Sequence, residues 1–147
     1  MSTVKRVAIA VALLGFLGTG LSACKSANPA HETAKAVAAA QNWLAMIDAG
    51  KYADAWQNSD DAIKSVGSKE QFATMMGRTR APLGKVQSRA VQQKAYAKDP
   101  QNAPPGEYVQ VHFNTAFENA KSAIELVTLK KQSDGSWKVG QYSVNPE

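Results

Sequence analysis

Cysteine and histidine are scarce in this chain. Its 147 residues hold one Cys, Cys24, and two His, His31 and His112. One thiol cannot close an intrachain disulfide or build a cysteine-based zinc cage, and two distant imidazoles are a poor start for a metal centre. No metal or cofactor is therefore expected. No apolar run approaches the roughly 20 residues that a bilayer-spanning helix needs. The longest, Val7–Leu17, has 11. No Ser or Cys nucleophile stands in a recognisable catalytic setting. The chain is long enough for one domain, and its charged (20%) and hydrophobic (44%) fractions are those of a globular protein.

What is present begins with an address. Lys5 and Arg6 precede the apolar run, and Gly18-Thr19-Gly20 follows it. That is the order of an export signal. The next residues, Leu21-Ser22-Ala23-Cys24, resemble a bacterial lipobox. The resemblance implies a diacylglyceryl group on the Cys24 sulfur, cleavage between Ala23 and Cys24, and acylation of the new amine with chains such as palmitate. Several chains anchor stably where one does not. Lys25, rather than Asp, follows the lipobox, and by the same resemblance this favours the outer membrane, facing the periplasm. Losing Lys5 and Arg6 with the signal leaves 15 basic and 12 acidic side chains, a net charge of +3. That is too mild to point to a nucleic-acid partner. The expected organisation is a signal at 1–23, a lipidated cysteine and tether at 24–35, and one domain at 36–147.

The domain reads as helices followed by strands. Val37, Ala40, Leu44 and Ile47, with Trp43 beside them, recur at helical spacing, and Gly50 is a C-cap. A short helix over Lys51–Asn58 carries Tyr52, Ala55 and Trp56, and Asp60–Val66 adds a turn or two. Ser68-Lys69-Glu70-Gln71 has the capping-box pattern and opens a helix with Phe72, Met75, Met76 and Thr79 on its inner face; Pro82 ends it. From Lys85 the period falls to two. Val86–Tyr96 is a weak strand, Ala97–Gly106 a loop with three prolines, Glu107–Phe117 a strongly alternating strand, and Ser122–Lys131 and Trp137–Val144 two more.

Turn lengths then set the register. A three-residue loop at 133–135 with Gly135 left-handed puts Leu126 opposite Tyr142; a two-residue turn at Asn119-Ala120 puts Phe113 opposite Leu126. One apolar face results, made of Val109, Val111, Phe113, Ile124, Leu126, Tyr142 and Val144. The other face, with Tyr108, His112, Val127, Leu129, Trp137 and Val139, is either a partner or homodimer surface or the face that the helices cover. Either way the fold class is α+β, with N-terminal helices on a curved four-stranded antiparallel sheet.

Arg80-Ala81-Pro82-Leu83-Gly84, Gly106-Glu107-Tyr108-Val109, Phe113-Asn114-Thr115-Ala116-Phe117, Glu125-Leu126-Val127-Thr128-Leu129 and Asp134-Gly135-Ser136-Trp137-Lys138-Val139 resemble, in this order, the domain-of-unknown-function family 4019 of small exported bacterial proteins. Trp43-Leu44, Asp48-Ala49-Gly50-Lys51-Tyr52 and Trp56 fit the same pattern, so the resemblance spans about residues 36–144. Gln141 departs from it where glycine is expected. The resemblance implies an NTF2-like or cystatin-like cone of helices on a bent sheet, and no activity.

Two groups of side chains carry chemistry. His112 and Glu125 become diagonal neighbours in the register above, an acid–base pair or a surface pair. Asp48 and Asp99 are conceivable bases in a cone-shaped enzyme. The segment 71–98 holds Arg78, Arg80, Lys85, Arg89, Lys94 and Lys98 with no acid between them. It is a surface for anionic lipid head groups or an acidic polymer, or a solvated face with Arg80 clamping Pro82-Leu83-Gly84. No catalytic residue is singled out. The function expected is a non-catalytic envelope lipoprotein, an interaction or scaffold module held through Cys24. The alternative is a small-molecule or lipid-binding module using the cone interior.

Overall fold

A computed structural model describes residues 28–147. The segment expected to be a signal, with its expected cleavage point at Ala23 and lipidation site at Cys24, lies outside these residues. Helix α1 (Pro29–Asp48) starts where Asn28 accepts a hydrogen bond from the Ala30 N–H and Pro29 takes the first helical position. A proline costs nothing there, because its missing N–H would have no helical partner. The helix thus begins within the stretch read from the sequence as tether, and its first turns are packed: Glu32 and Thr33 are buried. Helices α2 (Tyr52–Gln57), α3 (Asp61–Lys64) and α4 (Lys69–Arg80) follow, then a 3-10 turn at Ala81–Leu83. The Ser68–Gln71 capping box at the start of α4 is formed in both directions.

Strands β1 (Val86–Lys98), β2 (Glu107–Phe117), β3 (Ala123–Lys131) and β4 (Trp137–Pro146) form one antiparallel sheet in the order β1-β2-β3-β4. The fold is α+β, with the helices before the sheet in sequence and against one of its faces. Ala36, Ala40, Trp43, Leu44 and Ile47 of α1 pack with Val109, Val111, Phe113, Val127, Leu129, Trp137 and Val139. A smaller cluster of Leu83, Phe117 and Ala123 fills the far end.

The register differs from the sequence reading at one turn and one bulge. Phe113 pairs with Glu125 and Thr115 with Ala123, one residue off the expected partners. The cause is the capture of the β2–β3 turn by the segment before β1. The Glu118 and Asn119 N–H groups donate to the carbonyls of Lys85 and Leu83, and the Phe117 N–H closes on the Ala120 carbonyl. The turn therefore sits over Glu118-Asn119, one residue earlier than expected. Gly84 makes this approach possible. Its φ is 75°, and a Cβ there would lie 2.8 Å from the Glu118 carboxylate. The slip turns Glu125 inward and Ile124 and Leu126 outward.

At the other turn the three-residue loop is present, with the Gln132 N–H on the Ser136 carbonyl and Gly135 at φ 83°. Leu129 faces Val139 as a result. An extra residue at Gly140 then shifts the pairing, so that Leu126 faces Ser143. The bulge returns Tyr142 and Val144 to the face of Trp137 and Val139. Val127, Leu129, Trp137 and Val139 are thus core beneath the helices, while Tyr108 and His112 stay on the outer face.

Candidate functional site

Three polar assemblies and one apolar cleft stand out among the described residues. The first assembly joins the ends of α1 and α4 to the sheet. Asp48 closes α1, where the helix dipole disfavours a negative charge. Two guanidiniums offset this. Arg80 Nη2 lies 2.6 Å from Asp48 Oδ1, and Arg89 reaches both Asp48 oxygens, at 2.6 and 3.0 Å. The Arg89 Nε donates at 2.6 Å to Glu125, which is fully buried. Thr115 and Tyr142 donate to the same carboxylate, each at 2.6 Å. Burial works against the Arg89 charge, but its hydrogen bonds to Asp48 and Glu125 outweigh that and raise its pKa further. Burial first, then the Glu125 charge and hydrogen bond, push the Tyr142 hydroxyl well above the ordinary phenol value. Arg80 stacks on Phe117 at 4.3 Å, and its Nε and Nη1 are shielded with no partner among the described residues.

This network changes the reading of the basic segment. The Arg80 and Arg89 side chains are 4% and 15% exposed and neutralised by carboxylates. Both leave the proposed anionic surface, which keeps Arg78, Lys85, Lys94 and Lys98, all exposed. Arg80 is a buried side chain, but its partners are Asp48 at the end of α1 and the Phe117 ring, not the Pro82-Leu83-Gly84 segment. His112 and Glu125 are not brought together: they lie on opposite faces, and His112 has only a long 3.5 Å contact with Gln110. Asp48 is held by two arginines. Asp99, at φ 49°, accepts from the Gly106 N–H at 2.7 Å and shapes its loop.

The second assembly ties the start of α1 to the opposite end of the sheet. Lys131 contacts Glu32 at 3.0 Å and Glu107 at 3.2 Å; Trp137 Nε1 donates to Glu32, and Tyr96 to Glu107. The hydrogen bond from Lys131 holds the Glu32 carboxyl below its ordinary value, and the same bond raises Lys131. The third is local: Gln132 donates to Asp60, which also caps α3. No group of three or more His, Cys, Asp or Glu among the described residues is arranged to hold a metal ion.

The cleft, about 240 Å³, opens between α3, α4 and β4. Ile63, Phe72, Met76 and Tyr142 line it, with Val66 and Met75 at its edge. These last two are 85% and 54% exposed, the most exposed large apolar side chains described. Sequence periodicity placed Met75 on the inner face of α4. It stands instead at the margin of that face, because Phe72 and Met76 take the space against Trp43 and α2. The cleft was not legible in the sequence, since it depends on how α3 meets β4. The carboxylate network had one signal: Glu125 shares the period-two row of Ala123, Val127 and Leu129.

A family profile described as "Protein of unknown function (DUF4019)" matches residues 39–142. No curated protein and no solved structure matches. No helix among the described residues is long and apolar enough to cross a membrane.

Proposed function

The chain belongs to the protein family of unknown function DUF4019, and from that premise we propose that it is a non-catalytic cell-envelope interaction module. It is lipid-anchored through Cys24, at the outer membrane facing the periplasm, and docks a protein partner through the cleft between α3, α4 and β4. The observation that carries this reading is the cleft with its two exposed apolar edges, Val66 and Met75. Its size favours an inserted protein side chain. Small-molecule sites enclose roughly 300–1,000 Å³, and about 240 Å³ open at the side is less. It suits one or two large apolar side chains inserted from a protein surface, as binding hot spots are. The cone-like arrangement of helices over a bent, NTF2-like sheet belongs to the same proposal. Its interior is filled by Trp43, Leu44 and Ile47, which favours the side cleft over a ligand chamber.

The test places a photoreactive side chain at Met75 in intact cells, with a second at the exposed Gln41 of α1 as control. A discrete protein adduct at Met75, absent at Gln41 and lost on adding Val66→Asp at the exposed edge of the cleft, is the expected result. Native mass spectrometry of the chain from Lys25 onward runs beside it. Extra small-molecule mass lost on unfolding, with no adduct at Met75, overturns the partner reading in favour of the ligand-binding one.

A further inference from the structure

A trough of about 840 Å³ crosses the outer face of the sheet, away from the helical core. Its floor is a single cross-strand row. Ala95 on β1 pairs with Gln110 on β2, Gln110 with Thr128 on β3, and Thr128 with Gln141 on β4. Neighbouring strands lie about 4.8 Å apart, so this row is about 14 Å long and runs at right angles to the strands. The next row, Ala97, Tyr108 and Lys130, flanks it. Asp61 of α3 stands at one end of the trough, and Pro100 and Pro104 of the β1–β2 loop (99–106) at the other. The flanking wall is preformed. The Tyr108 hydroxyl donates to the Pro104 carbonyl at 2.8 Å, and the Lys130 ammonium lies 5.7 Å from the Tyr108 ring centre. Gly106, at φ 149°, leaves room for both side chains: a Cβ there would lie 3.3 Å from Lys130 Cε and 3.7 Å from the Tyr108 ring.

The chemistry of the row narrows the occupant. Gln110 and Gln141 are exposed amides, each able to donate and accept. Between them the Thr128 hydroxyl is shielded and has no partner among the described residues. An unmet buried hydroxyl is costly, and a ligand hydroxyl drawn in between the two amides meets it. The charges lining the trough balance, Asp60 and Asp61 against Lys130 and Lys131, so it does not select a polyanion. A peptide lying across the strands meets no strand edge for backbone pairing. A linear chain of pyranose rings suits every part. Its repeat is close to the strand spacing, its hydroxyls donate and accept, and its C–H faces match Ala95, Ala97 and the fixed Tyr108 ring. We propose that the trough is a binding site separate from the cleft, and that it takes a neutral, linear oligosaccharide of about three sugar units seated along Gln110, Thr128 and Gln141.

The experiment is calorimetric titration of the full chain, in a detergent without a sugar head group, with cellotetraose, chitotetraose and the anionic tetragalacturonate. One of the two neutral tetrasaccharides should bind, at least several-fold more tightly than tetragalacturonate. Thr128→Val and Gln141→Ala should each weaken that binding by about tenfold, the worth of one hydrogen bond. Thr128→Val should not lower the thermal unfolding midpoint, because it removes an unmet hydroxyl and keeps the side-chain shape. Val66→Asp, at the edge of the cleft, should leave the titration unchanged. Silence from both neutral sugars up to their solubility limit overturns the proposal, as does equal or tighter binding of tetragalacturonate. Binding that survives both row variants puts the sugar elsewhere and overturns it as well. Binding lost with Val66→Asp assigns the sugar to the cleft, which sinks this site and argues for the cleft as a ligand pocket.

Discussion

Arg89 is the side chain on which most of the polar interior depends. It alone touches both carboxylates of the far network, and Glu125 is fully buried. Arg89→Ala leaves that charge with two hydroxyl donors and no cation. Removing one partner of a buried pair costs about 3–5 kcal/mol, a large share of a total stability of about 5–15 kcal/mol. Arg89→Lys keeps the charge but loses the planar fork that spans Asp48 and Glu125, and should recover only part of the loss. Urea unfolding of the two variants checks the order; equal, small effects would show that the network contributes little. Which residues carry charge inward was only half legible in the sequence. A structural role for Arg80 was legible, though beside Pro82-Leu83-Gly84 rather than on Asp48 and Phe117, and the six-cation row looked like one surface. A count of charges cannot show that two of the six meet acids some 30 to 40 positions away.

At the scale of elements, the helices were legible because caps and apolar spacing act locally. Ser68 and Gln71 fix the start of α4 with bonds three residues apart. The sheet register was not, because it was set from outside the hairpin. The β2–β3 turn is held by Leu83 and Lys85, which follow α4. Gly84 and Gly135 separate the two kinds of turn. Both have positive φ, but a Cβ meets nothing within 4 Å at Gly135 and the Glu118 side chain at 2.8–2.9 Å at Gly84. Gly135→Ala should therefore cost about 1–2 kcal/mol, the strain of the left-handed backbone alone. Gly84→Ala should cost more, and should loosen the turn that sets the register. Thermal unfolding midpoints of the two variants test this, and a smaller loss at Gly84 would mean that the turn is set by the hairpin itself. Gln141, the departure from the family pattern, follows the Gly140 bulge directly.

For the whole molecule, the Glu32–Lys131–Glu107 clamp closes the sheet onto the first helix and contributes to the response to pH on both limbs. The Glu32 pKa is lowered in the folded state, chiefly by its hydrogen bond with Lys131. Its contribution is therefore present above the ordinary glutamate value and is lost as pH falls through the folded value. The Lys131 pKa is raised, mainly by Glu32. That contribution is present below the ordinary lysine value and lost as pH rises through the folded one. Stability should be level near neutrality and fall on both sides, and Glu32→Gln should flatten the acid limb. Unfolding midpoints across pH decide; an unchanged acid limb in the variant assigns it to other carboxylates.

The sheet has two open edges, and neither is a clean template. β1 carries extra residues at Gln87 and Gln92 and bears Arg89, Lys94 and Lys98; β4 is interrupted at Gly140 and ends in Pro146. Bulges, lysines and proline are the devices that keep strand edges from pairing with one another. A protein confined to a surface by a lipid meets its own copies far more often than one free in three dimensions. Were this chain held at a membrane as proposed, the irregular borders of its sheet would keep that crowding from becoming polymerisation.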